Sequence, residues 1–342
     1  MKKVIFFIEG REHERFLYPY IEIFKKLCSD VRILSLENLS KTYVHHEKFI
    51  NIDKKNLSKT LLNLECDYLI TTTPGVGNSY FPKSIVLNKL KRPKYVYVFH
   101  SLVSPNQVYS KKSFSGFDII LAPNRVISQQ LKPIVSGETV VHTVGYPLLT
   151  NNHYLKFNNN IGKEKKVLLA PSWGKDSLLN NNQLMNNLLN LINNSFQVTL
   201  RPHPMEIHMA EKFKNHEFIK IDDQKDLTNL IEYDYLITDW SGIGIEYSII
   251  TNNKTIYINT PKKEKRKLNK SEKNFLLIEN QIRKSAGIEI DLKNLALLKE
   301  TLDSPLNKIT DMAYLRLIKE PIFDKDIIHK IFQTNSDNLK IK

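Results

Sequence analysis

With 342 residues, 41% of them hydrophobic, the chain is long enough for two α/β domains of ordinary size, and its apolar runs fall short of a bilayer span. Its two cysteines, Cys28 and Cys66, build neither a metal motif nor a disulfide framework. The formal charge of +14 points to an anionic partner such as phosphates or an acidic membrane surface, or else to a lysine-rich composition that only keeps the chain dispersed. No nucleic-acid partner is expected, because the interleaved aromatics and glycines of RNA modules are missing.

Met1-Lys2-Lys3 followed by Val4 to Ile8 is basic and then apolar, as a signal peptide begins. The run stops at Glu9 without a small-residue cleavage site, so it reads as a first buried strand in a cytoplasmic protein. Glu9 to His13 reads as a turn, and apolar spacing from Phe16 to Leu27 predicts a helix. Gly10 allows close approach of a ligand, and Glu9, Arg11 and His13 fall at a strand end. Val31 to Leu34 and Tyr68 to Thr71 are further strands, while Ser35 to Lys59 shows no clear period. The adjacent His45 and His46 point in different directions on any regular element, which argues against a shared metal. Gly75-x-Gly77 lacks the third glycine of a dinucleotide fingerprint, since Tyr80 stands there. It reads as a loop touching the acceptor or as a plain turn.

Tyr95 to Phe99 is strongly β-forming and ends at His100. A histidine one position past a buried parallel strand is placed to act as a general base, with a structural histidine as the alternative. Asp118 to Ala122 and Thr139 to Thr143 complete the strands of this half, around a helix from Asn124 to Leu131 capped by Asn124. The polar stretch 151–163 reads as a linker between an acceptor-side domain, 1–150, and a second domain, 164–318.

The second half restarts the same pattern with a strand at Lys166 to Ala170 and a helix at Leu178 to Ile192. Phe196 to Leu200 is a strand that delivers Arg201-Pro202-His203-Pro204. The prolines fix the backbone on both sides of His203, which suits an aimed imidazole or a turn whose histidine caps the next helix. Arg201 offers a fork of donors to phosphate. Asp222, Asp223 and Asp226 lie before a short helix at Leu227 to Ile231 and are expected to cap it, without the spacing of a metal site. Tyr235 to Thr238 is the next strand, followed by Asp239-Trp240-Ser241-Gly242. Ser241 and Gly242 at a helix start offer a hydroxyl and backbone N–H groups to an anion. Asp239 is expected to cap that helix or to orient a ligand hydroxyl.

Arg201-x-His203-Pro204, followed by Ile237-Thr238-Asp239-Trp240-Ser241, resembles the CDP-glycerol glycerophosphotransferase family. The resemblance implies a GT-B architecture, two doubly wound Rossmann-like α/β domains facing a central cleft, and the βα alternation of both halves supports two such domains independently. It also implies a nucleotide-diphosphate donor bound mainly by the second half of the chain, with teichoic-acid-like polymers as products; the resemblance is strongest over residues 166 to 287. Phe99-His100-Ser101 stands where the family carries Trp-His-Gly. Pro171-Ser172-Trp173 resembles the family's Ala-Pro-Thr-Trp loop and places Ser172 at the donor pyrophosphate. In GT-B enzymes an acidic residue near Glu246 holds the ribose; a solvated helix glutamate is the competing reading.

Lys254 to Ile258 is a last predicted strand. Lys262 to Lys273 is a basic run that reads as a solvated loop or as a contact for an anionic acceptor or membrane. Arg283 borders the donor site. Leu292 to Leu302, Met312 to Ile318 and Ile322 to Phe332 are predicted helices, and 319–342 is expected to cross back onto the first domain before a short tail.

The expected activity is transfer of a glycerol-phosphate, polyol-phosphate or sugar unit from a nucleotide-linked, CDP-type donor to a surface-polysaccharide or teichoic-acid-like acceptor. His100 would act as base, His203 and Arg201 would stabilise the leaving nucleotide, and Ser172, Asp239, Ser241, Gly242 and Glu246 would line the donor site. Gly10, His13 and Gly75 would face the acceptor. No metal or other cofactor is expected, and peripheral contact with an anionic membrane is a further expectation. The rivals are a UDP-sugar glycosyltransferase, a UDP-N-acetylglucosamine 2-epimerase-like enzyme, and a non-catalytic protein that binds anionic polymer.

Overall fold

The computed structural model describes residues 2–28, 30–37, 39, 48–75, 92–149, 164–192, 196–214, 216, 218–222, 228–262, 276–305 and 308–337. His45, His46, Gly77, the 151–163 linker, Asp223, Asp226 and the basic run beyond Lys262 lie outside these residues, as does the tail from 338. The chain divides into two units: Met1–Ser101 with Val108–Thr150 and Lys319–Lys342, and Leu102–Gln107 with Asn151–Ile318.

The first unit is built on a seven-stranded sheet in the order β3-β2-β1-β4-β5-β6-β7. Its strands are β1 (Lys3–Ile8), β2 (Asp30–Ser35), β3 (Phe49–Asn51), β4 (Tyr68–Thr71), β5 (Lys94–Val98), β6 (Ile119–Ala122) and β7 (Val140–Thr143). Every pairing is parallel. That arrangement explains why the central strands read as continuous apolar runs, since both faces of a parallel sheet are covered. Val4, Phe6 and Ile8 of β1 and Ile70 of β4 pack with Leu17, Tyr20, Ile21 and Phe24 of helix α1 (Arg11–Leu27). The predicted turn through His13 is instead the first turn of α1, where Glu12 and Glu14 favour the positive end of the helix dipole. Asn124 caps α2 (Arg125–Leu131), its Oδ1 accepting from the Ile127 N–H at 2.8 Å.

The second unit has a six-stranded sheet in the order β10-β9-β8-β11-β12-β13, again wholly parallel. The strands are β8 (Lys166–Leu169), β9 (Gln197–Leu200), β10 (Ile219–Ile221), β11 (Tyr235–Thr238), β12 (Thr255–Ile258) and β13 (Gly287–Ile290). Around them lie α3 (Asn182–Ile192), α4 (Ile243–Thr251), α5 (Ile278–Ala286), α6 (Leu297–Asp303) and α7 (Ala313–Lys319). Leu184, Met185, Leu188, Leu189 and Ile192 put one face of α3 into the core, leaving most of its asparagines outside. Three strands escape the sequence: β3 lies inside the stretch without a period, and β10 and β13 are short edge strands. The short helix expected at Leu227 to Ile231 is a 3₁₀ segment, Thr228–Glu232.

The last helix, α8 (Lys325–Asp337), belongs to the first unit, where Ile328, Ile331 and Phe332 join the core. Phe332 meets the rings of Phe24 and Tyr68 edge-on, at centroid distances of 4.8 and 5.0 Å. The chain preceding it lies on Gly145, which has φ +90°; a Cβ there would sit 2.3 Å from the Phe323 backbone. Gly145→Ala therefore combines left-handed strain with a backbone collision. It is expected to cost about 2–5 kcal/mol, read as a lower urea midpoint. A midpoint unchanged from wild type would show that the 322–324 segment does not need this glycine.

Candidate functional site

In doubly wound sheets, ligands bind beyond the carboxyl ends of the strands, where the strand order reverses. The first sheet reverses between β1 and β4, the second between β8 and β11. The residues singled out in the sequence collect at these two places.

At the first reversal, His13 comes from the opening turn of α1 and His100 from the end of β5. Their rings meet edge to face, 5.1 Å apart at an interplanar angle of 77°. Thr72, fully buried after β4, holds His13 through a 2.9 Å bond between Oγ1 and Nδ1. On the other side of His13, Nε2 lies 3.7 Å from Glu12 Oε1. Phe16 packs on the His100 ring at 5.3 Å, and the Tyr97 hydroxyl is 3.5 Å from His100 Nδ1. Burial first, then the charges of His13 and Arg15, push the His100 imidazole down to about 3, against a smaller opposing backbone hydrogen bond to Val98. His100 is thus neutral, the form a base requires, throughout the physiological range. Burial also raises the Tyr97 phenol well above its ordinary value, so it stays protonated. Gly10 is buried, and a Cβ there would lie 2.4 Å from Glu12 Oε1, so the space beside it belongs to a side chain of this chain. Gly75 has φ +89° and donates its N–H to the Ser113 carbonyl at 2.7 Å, a bond that ties the end of the loop after β4 to the segment that follows β5.

At the second reversal, Asp239 ends β11 and is fully buried. Its carboxylate accepts the N–H of Ser172 at 2.6 Å and of Leu178 at 3.1 Å. The expectation that Asp239 caps α4 is corrected: no side chain caps that helix, and Asp239 fastens the loop after β8 to the end of β11. Thr238 makes a parallel tie, its Oγ1 donating to the Ala170 carbonyl at 2.6 Å. Ser172 is buried, and its Oγ has no hydrogen-bond partner among the described residues. A buried hydroxyl with unused bonding capacity at a strand end suits a polar ligand. Ser241 and Gly242 are partly exposed just before α4, and their carbonyls already accept the N–H groups of Gly244, Ile245 and Glu246, at 3.4, 3.0 and 3.3 Å. Glu246 is buried on α4, which removes the solvated-glutamate reading.

Arg201 has a partner within the unit that the sequence does not show. Its guanidinium is bonded to Asp222, Nη2 to Oδ2 at 2.7 Å and Nε to the same oxygen at 3.1 Å, with both side chains buried. The positive charge expected to face phosphate is balanced inside the unit by the buried Asp222 carboxylate. His203 both caps and remains partly exposed: its Nδ1 accepts the Met205 N–H at 3.3 Å, closing the 3₁₀ turn Pro204–Glu206. With Nδ1 accepting, the proton of the neutral ring sits on Nε2, which becomes a hydrogen-bond donor. Trp173 lies beside the ring at 5.9 Å.

Two residues carry more than the sequence suggests. Glu206 is buried and accepts the Gly174 N–H at 2.7 Å and Asn180 Nδ2 at 2.8 Å, locking the β8 loop to the Arg201–Pro204 loop. Its only sequence signal is a carboxylate three residues after His203. Arg283 of α5 is buried between Trp240 and Tyr257, its guanidinium carbon 3.8 and 4.5 Å from the ring centroids. It donates to Asn259 Oδ1 at 2.7 Å and to the backbone carbonyl of Asp239. Desolvation lowers its pKa from the ordinary arginine value. Among the described residues no group of three or more His, Cys, Asp or Glu is arranged to hold a metal ion, and no helix is long and apolar enough to cross a membrane.

No curated protein sequence matches the chain significantly. Among solved structures, the wall teichoic acid polymerase TagF is similar at a TM-score of 0.62 and 14% identity, over 99% of this chain and 90% of that one. S. aureus MnaA, solved with UDP, gives 0.61 and 13% over 100% and 98% of the two chains. Anabaena HepE, solved with UDP and glucose, gives 0.53 and 12% over 98% and 100%. At these identities the likeness concerns the fold, which is GT-B. The sequence model of the CDP-glycerol:poly(glycerophosphate) glycerophosphotransferase family matches residues 14–267, most of the chain and both site regions. The chain belongs to that family and is a transferase of GT-B fold.

Proposed function

We propose that this transferase moves a glycerol-phosphate or related polyol-phosphate unit from a CDP-linked donor to a hydroxyl of a teichoic-acid-like or other surface-polysaccharide acceptor. The second unit binds the donor. The carrying observation is His203: its Nδ1 accepts the Met205 N–H, which fixes the ring beside the β8/β11 reversal with its proton on Nε2. A fixed donor stabilises charge that builds on a departing nucleotide phosphate without reorganising as it does so. Ser172 and Ser241 contribute hydroxyls, and Ser241 and Gly242 their own backbone N–H groups, to the same phosphates. Arg201 and Asp239 serve by holding the loops that carry these groups. Glu246, buried on α4, is assigned to the nucleotide's ribose.

The first unit takes the acceptor. His100 removes the hydroxyl proton as the oxygen attacks the donor phosphorus, and the phosphorus–oxygen bond to CMP breaks. The chain's own donors carry the charge in this scheme, with no cofactor and no metal. The lysine excess, including Lys262, suits an anionic acceptor and peripheral contact with an acidic membrane surface.

The likeness to MnaA with UDP supports a second reading, a UDP-sugar enzyme. Against an epimerase, the strand-end carboxylates Asp239 and Glu206 are both spent on backbone N–H groups. A thermal-shift panel of CMP, CDP, CDP-glycerol, UDP, UDP-N-acetylglucosamine and GDP, with and without Mg²⁺, separates the readings. A ligand that binds the native state alone raises the melting temperature, by several degrees at hundredfold saturation. Selective stabilisation by cytidine diphosphates is expected; selective stabilisation by uridine compounds would overturn the donor assignment, and a shift that requires Mg²⁺ would overturn the metal-free scheme.

A further inference from the structure

His100 is not alone at the end of β5, and its neighbour has no place in the transfer scheme above. We propose that His13, anchored by Thr72, is a positioning residue for His100, fixing the plane in which the imidazole of His100 meets the acceptor hydroxyl. The inference rests on His100 being the acceptor-side base.

The geometry is a short chain of contacts. Thr72 is fully buried at the end of β4, so its Oγ1 is an immobile partner for His13 Nδ1 at 2.9 Å. The His13 ring, so held, stands edge-on to His100 at 5.1 Å and 77°. Phe16, one helical turn along from His13, closes another side of His100 at 5.3 Å. A histidine and an aromatic three residues apart on α1 share one helix face. Two side chains of one rigid helix thus clamp the His100 ring, and Tyr97 and Tyr146 approach it from the sheet side, Tyr146 through the His100 carbonyl at 3.5 Å. An imidazole free to rotate would present its nitrogen to the hydroxyl only part of the time. Small errors of placement at a reacting centre cost large factors in rate.

The same contact has an electrostatic side. The charged and titratable groups around His100 are His13 and Arg15 from α1, with Glu12 beside His13, and the phenols of Tyr97 and Tyr146. A positive charge on His13 opposes protonation of His100, as does Arg15. Loss of His13 charge therefore raises the His100 pKa, and the base becomes protonated at a higher pH than before. A purely structural His13 would leave that titration where it is.

The test uses the full chain and two measurements. The side-chain resonances of His100, assigned by their loss in His100→Gln, are followed by NMR from pH 8 to pH 2 in wild type and His13→Phe. His13→Phe keeps an aromatic ring against His100 but removes the charge and the Thr72 bond. Wild-type His100 is expected to titrate near pH 3, and the variant with a midpoint raised by half a unit or more. Thr72→Val then removes the anchor alone. Its kcat at saturating donor is expected to fall about 10- to 100-fold with the acceptor KM unchanged, and Thr72→Ser to restore it. An unmoved His100 titration in His13→Phe, or a Thr72→Val kcat within twofold of wild type, would overturn the proposal. Should Thr72→Val fail to fold by circular dichroism, the titration decides alone. Because the titration needs no substrate, a complete absence of transfer from any donor counts against the proposed reaction and leaves this coupling to be judged separately.

Discussion

His100→Gln is expected to lower kcat roughly 100- to 10,000-fold, the usual contribution of a positioned general base, with little change in the KM for the donor. Glutamine occupies similar space and, like the native imidazole near neutral pH, carries no charge, so the loss reports chemistry rather than a collapsed site. The pH dependence of stability gives an independent reading. Folding holds the His100 pKa at about 3, below the ordinary value of 6.5. The unfolded chain therefore binds more protons than the folded one between these values, and stability falls as pH drops through that window. His100→Gln lacks this group, so its melting temperature should fall less between pH 6.5 and pH 4 than that of wild type. Equal acid sensitivity in the two proteins would show that His100 does not stay neutral in the fold. A kcat within tenfold of wild type would remove it as the base.

Much of this arrangement is legible in the sequence, for an identifiable reason. Parallel strands covered on both faces leave runs such as Val4 to Ile8, Tyr68 to Thr71 and Tyr235 to Thr238 buried throughout and mostly apolar, and the polar residue just past each run is the one at the strand end. Thr72, His100 and Asp239 can all be placed that way. The family resemblance supplies the meaning of Arg201-x-His203-Pro204, and the family match over residues 14–267 agrees with it. What the sequence withholds is which polar residue faces a ligand and which faces another residue. Arg201 has the right chemistry for phosphate, yet its partner Asp222 lies on the neighbouring β9–β10 side of the sheet, 21 positions away. Asp239 looks like a helix cap because it precedes α4, but its acceptors are spent on N–H groups some sixty residues earlier. Such pairings depend on sheet order, and sheet order is not written in local periodicity. The edge strands β3, β10 and β13 are missed for a related reason: one flank is unpaired, so they are short and carry little apolar signal.

Arg283 is the strongest case of a residue whose weight only the fold shows, and replacing it should have the largest structural effect in the second unit. Its guanidinium is sandwiched by Trp240 and Tyr257 and bonds the Asp239 carbonyl and Asn259, while its 3.3 Å ion pair with the half-exposed Glu289 adds little. Arg283→Leu preserves much of the bulk but leaves the Asp239 carbonyl and Asn259 without their donor and removes the cation–π contacts. The combined loss is about 2–5 kcal/mol, a large share of a domain's stability. Arg283→Lys restores the charge but not the planar stack or the two-pronged donation, so it should recover less than half of that loss. The effect should also reach the donor. Arg283 grips the residue whose carboxylate holds Ser172 and Leu178, and Trp240, stacked on Arg283, immediately precedes Ser241. At temperatures where Arg283→Lys is folded, the stabilisation by cytidine diphosphates should shrink several-fold while the acceptor KM stays unchanged. Full recovery of both stability and nucleotide response by lysine would mean that charge alone is needed at this position. The stack of Trp240, Arg283 and Tyr257 would then be a consequence of packing rather than the frame on which the donor site is built.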